Sequence, residues 1–348
     1  MDLGGRLAGI RNEAYVRLVR HLGLDCPTEG IKICPFLTAQ EPDRKLLEAL
    51  GTDFYWLNVN GPEYVVKKRI DEEAYVNEWG ITVKIVDHYA QRIVHPLKDA
   101  GLEEIAKYDW PDPQSDWRYE GIEERAAALH EQTDFALALN PISGGIFEMC
   151  QHLRGLDNFF VDLMLNKEFA HALLDRVLEI EMRMTERYLE KVGRYIEVVA
   201  LSDDYASAQS LLVSPQVFDE FFKPRYARFT EMIKSKTDGK AKVMLHSCGA
   251  ISGMIDRFIE MGIDILNPLQ PTAKGMDPKL LKDTYGKNLC FHGGIDSQFI
   301  LATGTEDEVR RHKKEVVEVL ASSGGYILAP SHQIQFHVPP ENIVAMYE

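Results

Sequence analysis

Short apolar runs alternate with longer amphipathic stretches through most of this chain, and that alternation constrains the fold more than any other feature. The runs are DFYWLNVN (53–60), FALALN (135–140), YIEVVALSDD (195–204), KVMLHS (242–247), IDILNP (263–268), NLCFHGG (288–294) and GYILAPSH (325–332). Between them lie stretches of helical periodicity at 155–192, 215–237, 250–261, 277–286 and 305–322, three of them opened by the helix-start signals SPQVF, DPKLL and TEDEV. Strand, helix, strand repeated in this way means a parallel sheet with helical crossovers. At 348 residues the chain has the size of one (β/α)8 barrel. The expected fold is therefore α/β, a (β/α)8 TIM barrel occupying residues 1–348 as a single domain. Seven barrel strands are visible, and IKICPF (31–36) is the candidate eighth. Residues 1–40 read as an N-terminal helical extension. Residues 76–117, where VNEWGITVKIVDHYAQRIVHPL alternates before the Pro-punctuated KYDWPDP, read as a small β-hairpin insertion beside the barrel.

Charge narrows the function classes. The 39 Lys and Arg stand against 54 Asp and Glu, a net charge of −15, and no basic run could track a phosphate backbone, so nucleic acid is not an expected partner. No segment approaches the roughly 18 consecutive apolar residues that span a bilayer, and the amphipathic N-terminus is interrupted by arginines. A cytoplasmic protein without a membrane partner is expected. Its five cysteines are scattered and odd in number, which argues against a disulfide framework. Nucleotide-phosphate loops, HExxH helices and GxSxG elbows are absent from the sequence.

Every visible strand ends in polar chemistry: Asn140 and then Glu148, Asp203 with Asp204, His246 with Cys248, Asn267 with Gln270, His292 with Asp296, and His332. In a barrel of this kind the C-terminal strand ends converge on one mouth. Residues two apart on a strand point the same way, so the His246 imidazole and the Cys248 thiolate can close on one ion. Zinc accepts such N and S ligands and needs at least one more. His332 is the candidate third ligand and Glu148 a candidate fourth, or a neighbour of the site. Gly249 frees backbone where a ligand must approach. Each residue also has a bland reading: Asp203 and Asp204 as loop caps, Asn267 as a turn residue before Pro268, Cys150 and His292 as packing groups.

The order and spacing of KYDWPDP, GGIFE…LRG (144–155), LSDDYASAQSLLVSPQVFDEFFKPRY (201–226), HSCG (246–249), FHGGID (291–296) and GGYILAPSH…VPPENIVAMY (324–347) resemble the uroporphyrinogen decarboxylase superfamily. Within it, the chain resembles the corrinoid-dependent methyltransferases more than the decarboxylases, whose paired-arginine N-terminal motif is replaced here by IKICPFLTAQEPDR. The resemblance implies a zinc held by a His-x-Cys and a distant second Cys, and places His332 where that Cys would stand. It implies methyl transfer from a methoxylated small molecule, such as an aromatic methyl ether, to a Co(I) corrinoid. The sequence lacks a DxHxxG corrinoid-binding signature, so the corrinoid, a cobalamin, would arrive on a separate corrinoid protein. Asp203, Asp204 and Glu148 are the expected catalytic carboxylates, and Asn267, Gln209, Tyr55 and His292 the expected substrate-binding groups, with Trp56 beside Tyr55. Three other readings remain open at this stage: a methylcorrinoid:thiol methyltransferase, a metal-free decarboxylase with His332 and Asp203 as acid and base, and a non-catalytic binding protein. A homodimer is compatible with all of them.

Overall fold

The computed structural model describes residues 1–28, 32–34, 39–87 and 89–348. Strands β1 (Ile10–Arg11), β2 (Lys32–Cys34) and β3 (Ala39–Gln40) form a small antiparallel sheet in the order β1-β3-β2. After β4 (Phe54–Leu57), the strands β5 (Val66–Arg69), β6 (Ala74–Asn77), β7 (Thr82–Val86) and β8 (Tyr89–Val94) form an antiparallel meander. The remaining strands are β9 (Ala136–Leu139), β10 (Ile196–Ser202), β11 (Lys242–His246), β12 (Ile265–Leu269), β13 (Cys290–Ile295) and β14 (Tyr326–Pro330). With β4 they make a seven-stranded parallel sheet in the order β14-β13-β12-β11-β10-β9-β4, curled and flanked by helices in the manner of a TIM barrel.

Each of the seven apolar runs contains one strand of this sheet, because a parallel strand covered on both faces needs apolar side chains in both directions. The helix-start signals act as caps: Ser214 accepts from Val217 N–H, Asp277 from Leu280 N–H, and Thr305 and Glu308 form a reciprocal capping box. Inside the ring lies one apolar cluster of Leu7, Trp56, Ala138, Val198, Ala200, Met244 and Ile265. A larger one fills the layer between strands and helices.

The gap between the edge strands β14 and β4 is filled by residues 1–10, which bond to both sides. Asp2 N–H donates to Leu328 C=O at 2.9 Å and Asp53 N–H to Met1 C=O at 2.8 Å. Further up, Ile334 N–H donates to Gly9 C=O at 2.8 Å, and Ile10 pairs in parallel with Ile334. This segment takes the place of an eighth stave. The expected eighth strand, 31–36, lies in part outside the described residues, and its described portion pairs antiparallel with β3 in the small sheet. Sequence periodicity missed the true stave because DLGGRLAG has no strand pattern. Its glycines are there for proximity: a Cβ on Gly4 or Gly5 would stand 2.2 or 2.7 Å from the Trp56 indole, and Gly5 has φ +72°.

The insertion is larger than the expected hairpin, since it begins at Val66. The strand Val66–Arg69 is exposed along its length, so VKKR carries no apolar alternation to betray it. Trp79 is fully buried and meets Trp110 edge-on at 6.1 Å, which ties the meander to KYDWPDP.

Candidate functional site

Parallel register brings three strand ends level: Ser202 lies opposite His246, and His246 opposite Asn267. His246, at the end of β11, turns its Nε2 toward Cys248 Sγ at 3.3 Å. Asp204, just past β10, accepts the Cys248 N–H at 2.7 Å and stands 4.0 Å from His246 Nε2. One donor atom from each of Asp204, His246 and Cys248 falls within 4.8 Å of the others. The N···S edge of a tetrahedral zinc site is about 3.6 Å from ordinary bond lengths. The donor set therefore fits a zinc ion in both chemistry and spacing. Burial pushes the Cys248 thiol well up, and the Asp204 and Glu148 charges push it further. A cation among these groups reverses that balance, because it favours the thiolate.

His332 lies beside this trio and outside its tightest grouping. Its ring meets that of His246 at 6.3 Å between centroids, and desolvation, with the His246 charge, lowers its pKa to about 4. The carboxylate nearest the pair is Asp204, which sequence reading had placed among the catalytic groups.

Asp203 turns the other way, into the core. It is fully buried and accepts from Phe147 N–H, Glu148 N–H, Tyr205 OH and Tyr226 OH at 2.8 to 3.0 Å. Burial raises its pKa to about 7 against the pull of those four donors. Its geometry anchors the start of the helix Ile146–Arg154, from which Glu148 projects. Glu148 is held well above the ordinary carboxylate range by burial and by the charges of Asp204, Glu63 and Asp203.

Asn267 and His292 have their polar atoms engaged with protein. His246 Nδ1 meets Asn267 Oδ1 at 2.5 Å, Asn267 Nδ2 meets His292 Nδ1 at 2.6 Å, and His292 Nε2 meets Asp2 Oδ2 at 2.8 Å. Through these bonds they support His246. Tyr55 faces the outer layer, where its hydroxyl donates to Glu41 and accepts from Arg125, while Trp56 points into the barrel. Gln209 is exposed on the loop after β10. Gly249 has φ +88°, and a Cβ there would strike the Ser207 carbonyl at 2.5 Å, so this glycine serves a close approach of two mouth loops. Cys150 is fully buried, as its helical surroundings imply.

A cavity of about 140 Å³ opens at the mouth, lined among others by Arg6, Glu63, Tyr64, Arg92, Glu148 and Ser202. The meander supplies one wall: Arg92 donates to Glu63 at 2.6 Å, and Glu63 in turn accepts the Gly144 N–H at 3.1 Å. Burial opposes ionisation of Glu63, yet Arg92 and His152 together keep it below the usual carboxylate value. Sequence reasoning missed Asp2, Glu63 and Arg92. None of them ends a barrel strand, and only the tertiary fold brings them to the mouth.

A ring of parallel strands whose C-terminal ends gather carboxylates, imidazoles and a thiol defines a (β/α)-barrel protein with an enzyme-like mouth. The profile described as uroporphyrinogen decarboxylase (URO-D) matches residues 75–348, and the chain belongs to that family. A solved structure described as a methyltransferase from Methanosarcina mazei shares the fold. The TM-score is 0.64 at 18% identity, over 99% of this chain and 91% of that one. A comparison with curated proteins finds no match. Among the described residues, no helix is long and apolar enough to cross a membrane.

Proposed function

We propose that this chain is a zinc-dependent methyltransferase that moves a methyl group from a methoxylated small molecule to the Co(I) corrinoid of a separate corrinoid protein. The observation that carries the reading is the grouping of Asp204, His246 and Cys248 at the barrel mouth. Membership of the URO-D family and the fold shared with a methyltransferase support it. Asp204, His246 and Cys248 would hold the ion, with His332 beside them. A zinc ion there supplies Lewis acidity toward an oxygen leaving group.

The chain's own residues do the rest. Tyr64 offers an aromatic wall to a methoxyarene, and Arg92 with Glu63 closes the side of the cavity formed by the meander. Glu148 lines the same cavity, and its raised pKa keeps a proton available for the oxygen that departs when the methyl group leaves. Asp203 and its two tyrosines fix the helix that carries Glu148.

The first experiment is metal analysis of the purified protein beside Cys248→Ser and Asp204→Ala. About one zinc per chain in the wild type, lost in both variants, is the expected result. Wild-type protein that neither contains nor takes up zinc overturns the reading. A decarboxylase assay then becomes the decisive one, because the chain's family bears that name.

A further inference from the structure

We infer that Asp2 is a positioning residue for the metal centre: acting through His292 and Asn267, it dictates which nitrogen of His246 carries the proton. The inference rests on the proposed metal site for its purpose, though its chemistry stands on the hydrogen bonds alone.

The chain of contacts has a direction. Asp2 Oδ1 accepts from Gly4 N–H at 2.9 Å and from Trp56 Nε1–H at 3.0 Å, a hydrogen shared with Oδ2 at 3.1 Å, and Oδ2 faces His292 Nε2 at 2.8 Å. A carboxylate only accepts, so the proton sits on His292 Nε2. In a neutral ring Nδ1 is then a bare acceptor, and it takes a hydrogen from Asn267 Nδ2 at 2.6 Å. The same amide must therefore present Oδ1 to His246, whose Nδ1 donates to it at 2.5 Å. His246 Nε2 is left with a lone pair aimed at the space beside Cys248 Sγ. Imidazole binds a metal only through such a bare nitrogen, and a partner on the opposite ring nitrogen is what fixes it.

The path is shielded from bulk solvent. Asp2 and Asn267 are 0% exposed, His292 1%, and His246 7%. Each intermediate link has one donor and one acceptor in play, so the polarity chosen at Asp2 propagates without loss to a nitrogen three residues away.

Asp2→Asn reverses the chain while keeping its shape. The amide oxygen stays with Gly4 N–H and Trp56 N–H, which puts the NH2 group against His292 Nε2. His292 then protonates on Nδ1, the Asn267 amide turns over, and the His246 proton moves to Nε2, where it blocks a metal. Adding Asn267→Asp restores the original tautomer, since a carboxylate there accepts from both rings whatever stands at position 2. A role limited to packing is indifferent to these changes of polarity.

The test uses the full chain, stripped of metal and labelled with 15N in its histidines, with ring protonation read by long-range proton–nitrogen correlation and His246→Ala used for assignment. Wild type is expected to show His246 protonated on Nδ1, and Asp2→Asn to show it protonated on Nε2. Zinc affinity, measured by competition with a chromophoric chelator, should fall roughly 10- to 100-fold in Asp2→Asn and recover in the double variant. Wild-type His246 protonated on Nε2 overturns the inference without any variant having to fold, and so does an unchanged tautomer in Asp2→Asn. If the tautomers switch as stated but wild type binds no zinc, the relay stands and the metal reading fails.

Discussion

Two sectors of the barrel mouth bury polar groups in opposite ways. Along β11, β12 and β13, His246, Asn267 and His292 are matched donor to acceptor and end on one carboxylate, so each group is fixed in place and charge is sparse. Past the end of β10, Asp203 is crowded by Glu148 and Glu181 from neighbouring helices and by Glu63 from the turn before the meander. Only Glu63 has an arginine close enough to offset its burial. The first arrangement gives precision of position. The second shifts acidity, since carboxylates that share a poorly solvated space cannot all ionise. An ion needs the former and a proton transfer the latter, and Asp204 with Cys248 stands at the seam between them.

The largest expected effect separates the two sectors directly. Glu148→Gln should lower methyl transfer by about 10²-fold or more while zinc content stays at the wild-type level. Parallel assays of rate and bound metal decide it, and joint loss of both would merge the sectors into one. A second effect belongs to the crowded sector alone. Burial raises Glu181 to about 8, with the Ser143 hydrogen bond pulling back and the charges of Asp203 and Glu63 adding to the rise. Because the folded value lies above the unfolded one, the protonated group's stabilising contribution is complete below the ordinary carboxylate range and is lost as pH climbs through about 8. Urea midpoints at about pH 5 and about pH 9 should therefore move in favour of Glu181→Gln as pH rises, by on the order of a few kcal/mol. A pH-independent difference between the two proteins would place Glu181 outside the shared field. The smallest effect tests the ordered sector. Gly5→Ala forces a methyl group against Trp56 and should cost about 1–3 kcal/mol in thermal or chemical melts, while leaving that pH slope unchanged.

The same contrast explains what could be read in advance. Seven strands were legible because each is a run of apolar residues, and His246 with Cys248 because their spacing on a strand end is itself geometric information. The eighth stave was not, since DLGGRLAG is chosen to slip past Trp56 and carries no periodicity. The third donor was expected at His332 from a resemblance in sequence, and the fold brings Asp204 closer because β10 and β11 are neighbours in the sheet while β14 is not. Glu63 and Arg92 were invisible for a different reason. Arg92 reaches the mouth on a meander whose first strand looks like solvent-exposed loop, Glu63 sits on the turn just before it, and no local pattern says where such an insertion will land. Tyr55 and Trp56 show the limit of reading strand ends: adjacent residues on one strand face opposite sides, and the inward one was the partner of Asp2.

The stave formed by residues 1–10 has a consequence for the order of assembly. Its main chain bonds to Leu328 and Ile334, and the Tyr347 hydroxyl donates to Asp2 C=O at 2.6 Å, so residues 1–10 wait for partners that lie far downstream in the sequence. Contacts of such sequence separation form late in folding, after the loop between them has been closed. Until the ring shuts, Asp2 is absent from His292 and the polarity of the whole relay is undefined. Ring closure and the fixing of the His246 tautomer thus become a single event.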